Sequence, residues 1–136
     1  MALERERKSR DYLYGRLLAL AERLEEKALY VGKEKRETNA GKLMQRFTDH
    51  PYSTWLTIET SLTPYKVRLR TKRLYFLWVL EQELDGVFNS FIHDDFTSNN
   101  RLTGEFLLGY HCQRSALPLK KEDQEKIDSE DKDAVE

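Results

Sequence analysis

The feature that most constrains the fold is an apolar stripe near the start of the sequence. Apolar residues recur at intervals of three and four positions from Leu13 to Ala28. This interval matches the 3.6 residues of an α-helical turn, whereas the apolar residues of a half-buried β-strand alternate. Ser9 stands where an N-cap is expected, and Gly32 stands where a helix would stop. The sequence therefore predicts a first helix over residues 10–31.

Capping residues and prolines divide the rest of the sequence into four further helices. Thr38 can cap a second helix, which ends before Pro51 because the residue before a proline disfavours the helical conformation. Thr63 followed by Pro64 is a typical helix start, and apolar residues then keep helical spacing as far as Phe91. The five predicted helices cover residues 10–31, 39–48, 53–62, 64–92 and 103–117.

Composition supports an all-α fold. The 136 residues include only three Pro and six Gly, fewer than a turn-rich β-sandwich requires. The segment 66–70 alternates like a strand, but it is short and has no evident partner, so we keep it in the fourth helix. We expect Leu74 and Trp78 to widen the apolar stripe of that helix and Leu107 to face inward in the fifth. The prediction is one domain, residues 1–118, folded as a compact bundle of about five helices.

The charges are unevenly distributed along the chain. Residues 120–136 contain four Lys and eight Asp or Glu, whereas the other 119 residues contain nineteen Lys or Arg and sixteen Asp or Glu. Residues 119–136 have too few apolar side chains to offset the entropy cost of ordering them. We therefore predict a disordered acidic tail. Two roles are open for it: it aids solubility, or it competes with nucleic acid for a basic surface.

The sequence is that expected of a cytoplasmic protein. Its single cysteine, Cys112, excludes a disulfide within the chain and a cysteine-based metal site. No uncharged apolar stretch approaches the ~20 residues of a transmembrane helix. Residues 1–10 do not lead into the apolar segment of a signal peptide. We expect a reduced, cytoplasmic setting without membrane contact.

The strongest candidate site is a basic run in the predicted fourth helix. No Asp or Glu occurs between Glu59 and Glu81. On a helix, each pair of like charges three or four residues apart costs ~0.2–0.5 kcal/mol, and a bound polyanion would remove that cost. Three interpretations are open: a nucleic-acid-binding surface, a solvated basic face, and a docking site for an acidic protein. The run consists of Lys66, Arg68, Arg70, Lys72 and Arg73.

A second, weaker basic patch lies between Lys33 and Arg46, a segment that contains five cations and only two glutamates. Lys42 and Arg46 are its candidate nucleic-acid contacts, and the two patches would form a groove if they lay side by side. Tyr65 and Tyr75 flank the basic run and could stack on bases. Most of the seven tyrosines are nevertheless expected in the core or at its boundary.

Signatures of catalysis are weak. No Gly-rich phosphate loop, nucleophile elbow or zinc-protease motif occurs in the sequence. His93-Asp94 is similar to a dipeptide of metal phosphohydrolases, but such a site needs further ligands, and His50 and His111 lie in unrelated contexts. We therefore predict a non-catalytic protein without a metal or cofactor.

Five segments carry a more specific signal. They are Arg10-Asp11-Tyr12-Leu13-Tyr14-Gly15-Arg16-Leu17 with Ala21-Glu22-Arg23-Leu24-Glu25, Thr38-Asn39-Ala40 with Met44-Gln45-Arg46-Phe47, Pro51-Tyr52-Ser53-Thr54-Trp55 with Ile58-Glu59, Leu62-Thr63-Pro64-Tyr65, and residues 107–117. In this order they resemble the C-terminal helical region of the type I-C CRISPR large subunit. The similarity extends over about residues 8–118.

The resemblance implies a particular role. In type I-C systems this region is also made as a separate small subunit from an internal start, and a chain that opens with Met1 is consistent with that product. Such small subunits are helical bundles in the belly of the Cascade complex. They pack against one another, the large subunit and the backbone subunits that carry guide RNA. They help to hold the displaced non-target DNA strand, and a separate helicase-nuclease cleaves the DNA.

Under this resemblance, the basic run is expected to bind the displaced strand, with Lys42 and Arg46 as a second group. Gln113 and Arg114 lie in the last matching segment and are expected to have a structural or subunit-contact role. The alternative is a scaffold subunit that bridges the large and backbone subunits without touching DNA. Its basic face would then dock on acidic protein.

Overall fold

Seven α-helices and one 3₁₀ turn account for most of residues 2–116, which are the residues described by the computed structural model. No strand occurs in these residues, so the predicted all-α bundle is confirmed. The predicted acidic tail (119–136) lies outside the described residues. The fifth predicted helix ends at Ser115 rather than at residue 117, because the backbone of Ala116 is extended. The elements are α1 (Arg10–Val31), α2 (Asn39–Lys42), α3 (Met44–Asp49), α4 (Pro51–Ser61), α5 (Thr63–Lys72), α6 (Leu74–Ser90), the 3₁₀ turn (Asp95–Thr97) and α7 (Glu105–Ser115).

Helix α1 lies at the centre of the bundle, and its predicted bounds of 10–31 are confirmed. Helices α2, α4, α5, α6 and α7 all pack on it. As a result, every residue from Tyr12 to Glu22 is buried, rather than a stripe along one face. The buried residues of α1 include three charged side chains whose burial the apolar pattern did not predict: Arg16, Glu22 and Glu25.

Helix α7 approaches α1 through two glycines. A Cβ atom at Gly15 would lie 2.6 Å from the backbone nitrogen of Tyr110, and a Cβ atom at Gly109 would lie 2.9 Å from the carbonyl carbon of Tyr12. The two backbones therefore touch where neither residue has a side chain to separate them.

Two of the predicted helices are each broken once, which is why there are seven helices rather than five. The predicted helix 39–48 divides at Leu43, and the predicted helix 64–92 divides at Arg73, where the backbone has φ −144° and ψ 55°. A straight helix over residues 63–90 would be about 42 Å long, whereas α1 is about 33 Å long. The break allows both α5 and α6 to pack on α1. The segment 66–70 is helical, as predicted.

Three apolar side chains expected to face the core are instead exposed. Leu74 and Trp78 lie on the outer face of α6, and Leu107 lies on the outer face of α7. The core-facing arc of α6 is formed by Leu80, Leu84 and Val87. Since Leu74 and Trp78 fall off that arc at 3.6 residues per turn, the helix cannot bury all of these residues against α1 at once.

Candidate nucleic-acid interface

Helix α5 and the residue that ends it carry the basic run. Arg70 and Lys72 are exposed and Lys66 is half-buried. Lys66 and Arg70 are one turn apart on the same face, and Lys72 lies at the C-terminal end of the helix. Within residues 2–116, no salt bridge to a carboxylate involves any of these three cations. Their charges therefore add to a local positive potential over α5.

Arg68 has a different role, because its guanidinium group turns back onto α1. Its Nη1 donates to the carbonyl oxygen of Ala28 and to Oε2 of Glu34, both at 2.8 Å. A cation at the C-terminal carbonyls of a helix interacts favourably with the helix dipole. The hydrogen bond from Arg68 also lowers the pKa of the Glu34 carboxyl group. Arg68 thus connects α5 to the end of α1.

Gly32 makes the Arg68 contact possible. A Cβ atom at this position would lie 3.0 Å from Cζ of Arg68 and closer still to its Nη1. The sequence predicted Gly32 as a helix stop, and it is the C-cap of α1, but its φ of −83° is not left-handed. The left-handed conformation falls on Lys33, with φ of 56°. The glycine is needed for space rather than for its backbone angles.

Arg73 is also directed inward. It is only 7% exposed, and its Nη1 donates to the carbonyl oxygen of Lys72 at 2.8 Å. The basic run is therefore divided in two. Arg70 and Lys72 are exposed and Lys66 is half-buried, whereas Arg68 and Arg73 make contacts within the protein.

Tyr65 joins the second basic patch to α5. The Cζ atoms of Arg36 and Arg68 lie 5.7 and 5.8 Å from the centre of its ring, which is the range of cation–π contacts. Arg36 also donates to the Tyr65 hydroxyl and, at 3.0 Å, to the buried carboxylate of Glu25. The hydrogen bond to Glu25 raises the pKa of Arg36. The ring of Tyr65 is thus part of the contact that holds the segment 32–38 against α5.

The predicted groove is assembled only in part. The segment 33–37 is held next to α5 by the contact of Arg36 with Tyr65 and by the contact of Arg68 with Glu34. Lys42 and Arg46 are exposed, and the helices that carry them, α2 and α3, pack mainly on each other, on α1 and on α4. Those two cations therefore form a separate basic surface.

An aromatic pair stands at the start of α6, directly after the basic run. The rings of Tyr75 and Trp78 are stacked, with centres 6.0 Å apart and planes 22° apart. Trp78 is 54% exposed and Leu74, one turn before it, is 57% exposed. The sequence indicated Tyr75 as a stacking candidate but assigned Trp78 to the core. The signal that would have revealed Trp78 is its position off the arc of Leu80 and Leu84.

The sequence itself identifies the family. Residues 1–118 match the family described as CRISPR-associated protein (Cas_Csd1). The chain belongs to the Csd1 family of CRISPR-associated proteins. No curated protein and no solved structure matches it. Membership of the Csd1 family supports a subunit of a Cascade-type CRISPR complex, in agreement with the resemblance found in the sequence.

Gln113 and Arg114 of this Csd1-family chain differ in their surroundings. Gln113 is buried, and its Oε1 accepts a hydrogen bond from Nε of Arg16 at 2.8 Å. Nη2 of Arg16 also lies 3.3 Å from Oε2 of Glu83, and burial lowers the pKa of Arg16. Arg114 is half-buried and pairs with Glu26. Of the two roles predicted for Gln113, the structural one is therefore the one its contacts explain.

Neither a metal-binding cluster nor a membrane-spanning helix occurs among the described residues of this Csd1-family chain. Between residues 2 and 116, no three His, Cys, Asp or Glu side chains are grouped so that they could bind a metal ion. In the same range, none of the helices has the length and apolar character needed to cross a membrane. His93 and Asp94 are exposed in the loop after α6.

Proposed function

We propose that this Csd1-family chain is the small subunit of a type I-C Cascade complex and holds the displaced non-target DNA strand on α5. It would act in the cytoplasm, as part of antiviral defence. The observation that carries the proposal is that Arg70 and Lys72 are exposed and Lys66 is half-buried on one ten-residue helix, and that none of the three has a salt-bridged carboxylate among residues 2–116. Cations of this kind bind phosphates without reading the base sequence.

The energetics of RNA-guided recognition explain why three cations are enough. The guide RNA reads the target by base pairing, and the heteroduplex is about as stable as the DNA duplex it replaces. Because the exchange is nearly balanced, a few protein–phosphate contacts to the displaced strand shift it toward the open state. A surface for this task needs charge and exposure, which Arg70 and Lys72 have, and it needs no base-specific side chain.

The proposed partners follow from this role. They are other copies of the same chain, the large subunit, and the backbone subunits with their guide RNA. We also propose that the chain is non-catalytic and uses no cofactor, and that cleavage is left to a separate protein. We propose no DNA contact for Arg68 and Arg73, because their guanidinium groups bind within the protein.

The test replaces Lys66, Arg70 and Lys72 by Ala in a reconstituted type I-C Cascade and measures its affinity for target duplex across a range of salt concentrations. Each phosphate contact to single-stranded DNA contributes about −0.7 to the log–log salt slope, so losing three should make the slope shallower by about 2. The matched control is Lys66→Arg, Arg70→Lys, Lys72→Arg, which keeps the charges and should keep the slope. The Lys42→Ala, Arg46→Ala variant tests the separate basic surface.

An unchanged affinity and slope in a triple-alanine variant that still folds and enters the complex would contradict the proposal. A second candidate function, a scaffold that never touches DNA, would then take its place. The exposed apolar side chains of Leu56, Ile92 and Leu107 favour this candidate, since a neighbouring subunit could cover them. The scaffold predicts that substitutions at Leu56, Ile92 or Leu107 reduce incorporation, while the triple-alanine variant forms R-loops normally.

A further inference from the structure

We propose that Trp78 is a stacking site for a nucleobase of the strand that α5 holds, with Tyr75 fixing the orientation of the indole ring. The inference depends on the proposed function of α5, and it adds an aromatic contact to the electrostatic one. It assigns to Trp78 a role in binding a single-stranded nucleic acid without base preference, because every base has a face on which an aromatic ring can stack.

The geometry of the aromatic pair supports this role. Trp78 is 54% exposed although indole is one of the largest apolar side chains, and Tyr75 stacks against it with only 22° between the planes. A ring held by a stacked neighbour loses little freedom when it binds, which favours the contact. The buried tryptophan of the chain, Trp55, differs in each respect: it is 1% exposed and its Nε1 donates to Oε2 of Glu59.

The charges on the N-terminal side of the pair favour a nucleic acid over an apolar protein partner. Trp78 belongs to the same acid-free stretch, from Glu59 to Glu81, as the cations of α5. Lys72 precedes the first residue of α6 by two positions. Positive potential attracts the phosphates that accompany each base, whereas apolar docking gains nothing from it.

The proposed phosphate contacts of α5 and the proposed stacking site at Trp78 are close together in the chain. Leu74 starts α6 directly after Arg73, and Trp78 follows about 6 Å further along that helix. A strand whose phosphates contact Lys72 at the end of α5 can therefore reach the start of α6, where Trp78 and Leu74 are exposed.

Tryptophan fluorescence of the full-length chain tests the inference directly. The chain has two tryptophans, and only Trp78 is exposed. Titration with an oligothymidylate of about twenty nucleotides should quench the fluorescence, since a stacked base is in contact with the indole ring. Trp78→Phe should still bind but lose the quenching. Trp78→Ala should bind at least about fivefold more weakly, the lower limit expected for the loss of one base–aromatic stack.

Two control variants separate stacking from general apolar contact. Trp78→Leu keeps an apolar surface without an aromatic face, so it should bind as weakly as Trp78→Ala. Leu107→Ala removes an exposed apolar side chain from α7, away from the basic helix, and should leave binding and quenching as in the natural chain. The same variants are then measured for R-loop formation in the reconstituted complex, where Trp78→Ala should weaken target binding.

An abasic strand of the same length distinguishes failure of this inference from failure of the proposed function. If the chain binds both strands equally, and Trp78→Ala changes neither affinity while the Lys66, Arg70, Lys72 triple-alanine variant loses both, stacking is wrong and the role of α5 remains. If the natural chain shows no salt-dependent binding to either strand, both proposals are wrong. If Trp78→Ala only reduces incorporation into the complex, a protein subunit covers the ring and the inference is overturned.

Discussion

At the scale of the residue, two glycines determine how α7 meets α1. Gly15 and Gly109 face the opposing backbone, and a methyl group at either position would overlap atoms that cannot rotate away. Gly86 is a useful contrast: it lies inside α6, is exposed, and has no atom within 4 Å of the position that a Cβ would take. Three helical glycines thus differ only in what surrounds them.

We expect Gly15→Ala and Gly109→Ala each to lower the free energy of unfolding by about 1–3 kcal/mol, the usual cost of overpacking, because α1 and α7 must separate. Gly86→Ala should raise it by about 0.5–1 kcal/mol, since alanine restricts the unfolded chain and favours the helix. Urea denaturation of the three variants measures these changes. Equal effects of Gly15→Ala and Gly86→Ala would contradict the close contact between the backbones.

At the scale of the residue, the basic run also shows how the surroundings of a side chain determine its role. Arg68 and Arg70 are the same residue type two positions apart on one helix. Arg68 binds the Ala28 carbonyl and Glu34, whereas Arg70 is exposed. Which arginine is available to a phosphate is therefore decided by the segment that packs against α5, not by the local sequence.

At the scale of the element, the short helix α2 begins on a buried carboxylate from α1. Glu25 is 1% exposed, and its oxygens accept hydrogen bonds from the backbone nitrogen of Asn39 at 2.8 and 2.9 Å and from that of Ala40 at 3.3 Å. The predicted cap, Thr38, also contributes, because its hydroxyl oxygen accepts from the Gly41 nitrogen at 3.0 Å. A four-residue helix has little stability of its own, so these contacts position it.

We expect Glu25→Ala to lower the free energy of unfolding by about 2–4 kcal/mol, because it leaves two backbone N–H groups and Arg36 without their carboxylate. The matched control is the next residue, Glu26→Ala, which removes an exposed ion pair with Arg114 and should cost less than about 1 kcal/mol. Chemical denaturation of both variants provides the comparison. The capping role of Glu25 would be wrong if the two substitutions had the same effect.

At the scale of the whole molecule, burial of tyrosine hydroxyls makes the stability of the fold depend on pH. Burial raises the pKa of Tyr14, whose hydroxyl donates to the carbonyl oxygen of Phe96. Burial also raises the pKa of Tyr110, and the hydrogen bond to Glu22 raises it further. In the unfolded chain both hydroxyls have their ordinary pKa of about 10.

We therefore expect the stability of the fold to decrease as the pH rises above about 10. There the unfolded chain releases the two protons while the folded chain retains them, so unfolding becomes more favourable; below that pH this contribution is fully present. Denaturation curves at a series of alkaline pH values measure the effect, and Tyr14→Phe should reduce the decrease. Tyr30→Phe, at an exposed ring, is the control. A pH dependence unaltered by Tyr14→Phe would contradict this account.

The family and the fold class follow from the sequence. The all-α bundle and the bounds of α1 were predicted correctly because helical periodicity and helix ends are local properties. The ordered set of short segments identified a resemblance that agrees with the Csd1 family match over residues 1–118. The helix breaks at Leu43 and Arg73 were not predicted, and the break at Arg73 depends on the length of α1, on which both α5 and α6 pack.

The candidate site, like the fold, was predicted from the sequence only in part. The sequence by itself determined that five cations lie in one acid-free stretch, because charge is a property of composition. Only the tertiary structure decided that Arg70 and Lys72 are exposed, that Arg68 and Arg73 turn inward, and that Trp78 is exposed at the start of the next helix. The physical reason is that exposure and pairing depend on neighbours distant in the chain, such as Ala28 and Glu34, which a local pattern does not bring to Arg68.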